Sequence, residues 1–233
     1  LQARGAEIVA ISGTSMGSVI GAMYATGNLD AYADWLSSLN QRDVFKLLDP
    51  AIRNPGMISG EKVMQRIREY TKDLLIEDLP IAYTAVATDL LSGKEVWFQD
   101  GPLDTAIRAS IAVPSVFTPL VHQGRVLVDG GLLNQVPLTP LASQHFDILI
   151  ASDVVGPPRD PIAAEKLTNV RLVDVMETSI QVMQRIITRY QSANLPADIL
   201  IQMPGDMCGL MEFHKAADVI AIGQSTAAAV LSA

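Results

Sequence analysis

Residues 8–18 read Ile8-Val9-Ala10-Ile11-Ser12-Gly13-Thr14-Ser15-Met16-Gly17-Ser18: an apolar run, a Gly-x-Ser-x-Gly turn and a helix start. That succession predicts a buried strand that turns sharply into a helix and lifts Ser15 above the sheet, the geometry of a nucleophile elbow. Glycine is expected at Gly13 and Gly17 because a Cβ at either position would crowd the serine or the neighbouring strand. At the helix tip, first-turn N–H groups lack intrahelical partners and the helix dipole is positive, so negative charge near Ser15 or the Met16 amide is favoured. The same five letters also describe a plain strand-to-helix turn with a small capping serine. The rest of the chain has to decide between the two.

The chain has 233 residues, enough for one substantial core, and a single domain is expected. Apolar residues make up 49%, yet no run of uncharged apolar residues is long enough to span a bilayer. The expectation is a soluble, cytoplasmic protein with room for peripheral membrane contact, and an N-terminal targeting signal upstream of Leu1 stays open. A net charge of −8 argues against a grip on nucleic-acid phosphates. It also argues that any contact with anionic membranes would be hydrophobic and local. Cys208 is the only cysteine, so no intrachain disulfide and no thiolate cluster can form. No metal and no cofactor are expected.

Strand and helix signals alternate from there on. Helices are predicted over 15–25, 29–39, 61–75 after a Ser59-Gly60 cap, 101–111, 170–192 and 213–231. Strands are predicted over 81–88 and 95–98, in a hairpin over 121–128, and in two short apolar runs, 146–152 and 198–203, whose composition suggests cover on both faces. The prolines of 156–160 mark a surface loop. Alternation of this kind predicts an α/β fold, a three-layer α/β/α sandwich around a central, mostly parallel sheet.

A serine nucleophile needs a base. His122, His145 and His214 are the available histidines, and none has a setting suited to that work. His122 falls near a hairpin turn, His145 precedes a strand and His214 opens a helix. Asp129 is the better candidate: it ends a predicted strand and is followed by Gly130 and Gly131, which let the backbone turn and approach another loop. An ordinary aspartate titrates near 4, so this site must be dry to make it a useful base.

Three separated segments together resemble the patatin-like phospholipases, in particular the bacterial branch related to the neuropathy target esterase catalytic domain. They are Gly13-Thr14-Ser15-Met16-Gly17, the run from Ala109 to Pro119, and Asp129-Gly130-Gly131-Leu132-Leu133-Asn134-Gln135-Val136-Pro137. Met183-Gln184-Arg185 and Phe213-His214-Lys215-Ala216 look like the same branch. The resemblance implies a carboxylic ester hydrolase acting on acylated lipids through a Ser–Asp dyad. Ser15 would attack the ester carbonyl, Asp129 would act as base, and water would hydrolyse the acyl-enzyme. Gly13, Gly17 and the Met16 amide would form the elbow and oxyanion side, while Gly130 and Gly131 would position Asp129. Within the same reading Asn134 and Pro137 fix the following loop, Ser110 and Pro114 are scaffold, and Met16, Met57, Leu132 and Leu133 are candidates for an acyl channel.

The family also places a glycine-rich, arginine-bearing loop upstream of the elbow, whose amides supply most of the oxyanion hole. Leu1–Ala6 resemble the end of the helix that follows that loop, and Arg4-Gly5 lacks its glycine run. The expected domain over 1–233 therefore lacks its N-terminal strand, that loop and most of the first helix. Either that segment belongs to the protein outside these residues, or the chain is a non-catalytic regulatory or lipid-binding protein on the same scaffold. An apolar sheet edge exposed beside the nucleophile favours the former. A thioesterase or acyl-transfer reading, which would call on His145 or His214, is a third possibility.

Overall fold

A computed structural model describes residues 1–48, 58–157, 172–205, 207–209 and 211–232. Its centre is β2 (Ala82–Asp89), a strand buried along nearly its whole length. β1 (Ala10–Thr14) runs parallel to it, from Ala10 opposite Ala82 to Thr14 opposite Val86. β3 (Lys94–Phe98) returns antiparallel along Ala85–Asp89. β5 (Arg125–Asp129), the second arm of a hairpin with β4 (Leu120–His122), pairs antiparallel with Ala87–Asp89. β3 shares β2 residues with both β1 and β5, so it takes one edge of β2 while β1 and β5 share the other. They run toward each other along that edge and meet end to end, Thr14 opposite Val86 and Asp129 opposite the next residue, Ala87.

One side of this sheet is packed by α1 (Met16–Ala25), α2 (Leu29–Ser38), α4 (Glu61–Thr71) and α5 (Leu103–Ser110). Val19, Met23, Met64, Ile67, Leu103 and Ile107 form their shared core with Tyr83 and Ala85 of β2. The Tyr83 hydroxyl donates to the Ser18 carbonyl at 2.8 Å and locks α1 to the sheet. A second pair, β6 (Ile150–Gly156) and β7 (Ile199–Pro204), is parallel, with α6 (Leu172–Asn194) in the connection and α7 (Ala216–Val230) against β7. Helices lie on both sides of the strands, as expected for an α/β/α sandwich.

The sheet is mixed rather than mostly parallel. β2–β3 and β4–β5 are joined by tight connections, and a strand that returns through a few residues can only pair antiparallel. Gln123 and Gly124 carry φ 48° and 75°, the doubly positive pair that a two-residue hairpin demands. The strands at 150–156 and 199–204 are not covered on both faces either: alternate residues are buried, while Val154 and Leu200 are exposed. The helix expected to reach Leu75 ends at Thr71, and the one predicted from Val170 is described from Leu172; Val170 and most of the loop over 156–160 lie outside the described residues. One helix was not anticipated, α3 (Gln41–Leu47), which starts at a capping box. Asn40 Oδ1 accepts from the Arg42 and Asp43 amides, and the Asp43 carboxylate accepts from the Asn40 amide.

The turn from β1 to α1 brings the helix backbone onto the strand. A Cβ on Gly13 would lie 2.4 Å from the Gly17 carbonyl carbon and oxygen, so Gly13 is glycine of necessity. Gly17 is not: a Cβ there meets nothing within 4 Å among the described residues, because its Cα faces outward from the first helical turn. Gly13→Ala should therefore cost several kcal/mol or prevent folding, of the order of other overpacked sites (about 1–3 kcal/mol or more). Gly17→Ala should be neutral or stabilise by up to about 1 kcal/mol through helix propensity. Urea denaturation of the two variants checks the order, and equal destabilisation would contradict it.

Candidate active site

Ser15 sits where β1 ends, with φ 54° and ψ −126°, a conformation a side-chain-bearing residue adopts only under constraint. Such strain costs about 1–3 kcal/mol and persists where the surroundings over-determine it. Four hydrogen bonds supply the determination. The Ser15 amide donates to Ser110 Oγ at 2.9 Å, and Ser110 Oγ donates in turn to the Val86 carbonyl at 2.7 Å. The Thr14 hydroxyl donates to the Asn134 carbonyl at 2.8 Å, and the Ser18 hydroxyl to the Ser15 carbonyl at 2.7 Å. The elbow is thus pinned to α5, to β2 and to the loop after β5. Ser15 is half-buried and Met16 and Gly17 are exposed. Neither the Met16 nor the Gly17 N–H has an acceptor among the described residues, so both are free to meet an anion at the helix start.

Asp129 arrives from the opposite direction. Its backbone N–H donates to the Ala112 carbonyl at 2.9 Å, and the residue is only 5% exposed. Oδ1 accepts from the Gly131 amide at 2.7 Å. Oδ2 is fully enclosed and has no well-formed partner; the Ser15 hydroxyl lies close enough to draw on the carboxylate, short of an aligned hydrogen bond. Burial pushes the carboxyl up to about 6, against the smaller opposing pull of Ser15 and the Gly131 amide. A residue of this kind fits a base that must be mostly ionised at neutral pH and still hold a proton usefully.

The glycines after Asp129 follow from close approach. A Cβ on Gly130 would stand 2.3 Å from the Val86 carbonyl oxygen, and one on Gly131 would stand 3.0 Å from Asp129 Oδ1. The loop they open is tied at several points. Gln184 of α6 donates to the Gly131 carbonyl at 2.7 Å and Gln191 to the Leu133 carbonyl at 3.1 Å. Asn134, 2% exposed, donates to both carboxylate oxygens of Glu95 at 3.1 and 3.2 Å. Leu133, Trp97, Thr139 and Ile187 line an open cavity of about 450 Å³ beside that loop.

Of the residues singled out from the sequence, Ser15, Asp129, Gly13, Gly130, Gly131 and the Met16 amide converge on this one spot. Gly17 contributes an open amide rather than a close approach. Leu132 is half-buried, and Met57 lies outside the described residues. The histidines stand apart: His122 is on β4 with its ring 6.1 Å from that of Phe98, His145 is exposed in the approach to β6, and His214 is in the turn Phe213–Lys215. None of the three hydrogen-bonds to Ser15 or Asp129. Sequence reading missed Thr14, Glu95, Gln184 and Gln191, and took Ser110 for plain scaffold although it holds the elbow amide directly. Its place inside the Ala109–Pro119 segment was the available signal.

Among the described residues no three His, Cys, Asp or Glu side chains gather as a metal would require, and no helix is long and apolar enough to cross a membrane. The sequence model of the patatin-like phospholipases matches residues 1–142. An uncharacterized NTE family protein of Mycobacterium tuberculosis is 36% identical over 308 aligned residues, covering 100% of this chain and 86% of that protein. Patatin-like phospholipase domain-containing proteins of Caenorhabditis elegans and Mus musculus are 31% and 30% identical over 66% of this chain, in each case 12% of the longer protein. The family pattern spans well over half of these residues and includes both the elbow and the strand end that meets it, and on that extent of similarity the chain belongs to the patatin-like phospholipase family.

Proposed function

We propose that the protein is a lipid acyl hydrolase that cleaves carboxylic esters through Ser15 and Asp129. The observation that carries this reading is the meeting of a strained, half-buried serine with a buried aspartate whose second oxygen lacks a proper partner. In the reaction, Asp129 Oδ2 takes the Ser15 proton while Oγ attacks the ester carbonyl carbon. The oxyanion that forms is met by the Met16 and Gly17 amides and the positive end of α1. Collapse expels the alcohol, which takes the proton back from Asp129 and leaves an acyl ester on Ser15. Water then repeats the attack with Asp129 again as base, and the fatty acid is released. No histidine takes part.

A fluorophosphonate probe should label Ser15, and a soluble p-nitrophenyl ester should be hydrolysed. Both should vanish in Ser15→Ala and fall by roughly 10²–10⁴ in Asp129→Asn, the usual worth of a general base. His122→Ala, His145→Ala and His214→Ala should retain both. Activity indifferent to Asp129→Asn, or dependent on His145 or His214, would overturn the dyad.

The same carboxyl makes a stability prediction. Its folded value of about 6 lies above the unfolded value near 4, so the folded state binds the proton more tightly. Its contribution is therefore greatest below pH 4 and is lost as pH rises through 6, where a buried charge must be carried. Asparagine carries no such charge. Asp129→Asn should be more stable than the parent above pH 6, by about 2–3 kcal/mol from two pKa units, and the gap should close toward pH 4. Urea denaturation across that range measures it, and an Asp129→Asn variant weaker at pH 8 would contradict it.

A further inference from the structure

The inward side of α6 carries two glutamines among its isoleucines. At 3.6 residues per turn, Ile180, Gln184, Ile187 and Gln191 fall on one face, and Gln184 and Gln191 grip the loop after Asp129 from it. The outward-facing side carries Val175, Val182, Met183, Ile186 and Tyr190, and all five are exposed, Val182 at 53%, Ile186 at 48% and Tyr190 at 71%. Single exposed apolar residues are ordinary, but Val182, Met183, Ile186 and Tyr190 form a continuous stripe along about 12 Å of helix, with Val175 one turn beyond the exposed Ser179. Arg185 and Arg189 line one flank of it, exposed and without a carboxylate partner among the described residues, on a chain whose net charge is −8.

We propose that this outward face of α6 docks on a lipid surface containing anionic headgroups, with the apolar stripe entering the interface and the two arginines meeting phosphates. The proposal rests on the reading of the substrate as an acylated lipid. Charge selects lipid over a second copy of the chain. In an antiparallel two-fold pairing of the stripe on itself, Arg185 and Arg189 of each copy would approach those of the other, whereas anionic phosphates complement them. Docking there sets the lipid surface against the helix that holds the Gly131 and Leu133 carbonyls.

Flotation of the full chain with vesicles of phosphatidylcholine, with and without phosphatidylglycerol, tests this. Binding is expected to both, stronger with phosphatidylglycerol. Val182→Glu with Ile186→Glu should lower vesicle binding roughly tenfold or more while leaving fluorophosphonate labelling and soluble-ester turnover unchanged, which shows that the variant is folded. Arg185→Glu with Arg189→Glu should remove the preference for phosphatidylglycerol. Ser15→Ala should bind vesicles as the parent does, so vesicle binding without any ester cleavage would sink the hydrolase reading and leave the docking surface standing. Vesicle binding unchanged by Val182→Glu with Ile186→Glu would overturn the proposal, as would a dimer in sedimentation velocity that the same pair of substitutions disperses.

Discussion

The site depends on one constraint, the end-to-end meeting of β1 and β5 on a single edge of β2. Thr14 and Asp129 pair with consecutive residues, Val86 and Ala87, so the backbone itself places the serine and the aspartate side by side. Little room remains at that junction. The Gly17 carbonyl leaves no space for a Cβ on Gly13 and the Val86 carbonyl none for one on Gly130, and Val86 also receives the Ser110 hydroxyl that caps the Ser15 amide. One peptide group of the central strand thus orders the elbow from one direction and the strand end from the other.

The junction is costly in free energy. A positive φ at Ser15 and a buried carboxyl at Asp129 are each unfavourable by amounts comparable to a sizeable fraction of a domain's stability. The Ser15, Thr14 and Ser18 hydrogen bonds and the clasp on the Gly130–Asn134 loop from α6 and Glu95 offset that cost locally. Strain and desolvation retained in this way are typical of a place where chemistry rather than stability sets the residues.

What could be read from the sequence follows the range of the forces involved. Gly13, Ser15, Asp129 and Gly130 announce themselves because tight turns and close approaches restrict residue type locally. Asn40 and Asp43 were equally local, a capping box in plain view, and α3 was passed over only for want of apolar periodicity. Strand direction around β2 was not legible in its apolar run, since burial on both faces looks the same for parallel and antiparallel neighbours; the short connections carried that information. Gly17 misled because the elbow pattern names two glycines while geometry constrains one. Ser110, Glu95, Gln184 and Gln191 act through hydrogen bonds to partners 24 or more positions away, and outside the segments that resemble the family no local pattern marks such residues. The outward apolar face of α6 is likewise a tertiary fact: its apolar spacing reads as core until its glutamines are seen facing the protein.

Asp129, which burial pushes up to about 6, is the base we propose for Ser15. The rate at which a fluorophosphonate modifies Ser15, followed from pH 4.5 to 8 by intact mass, tests it most directly. A plateau above an apparent pKa near 6 and a tenfold fall per pH unit below it, unchanged by replacing His145 or His214, is the predicted result. A profile flat through that range, or one whose inflection moves when either histidine is replaced, would contradict it.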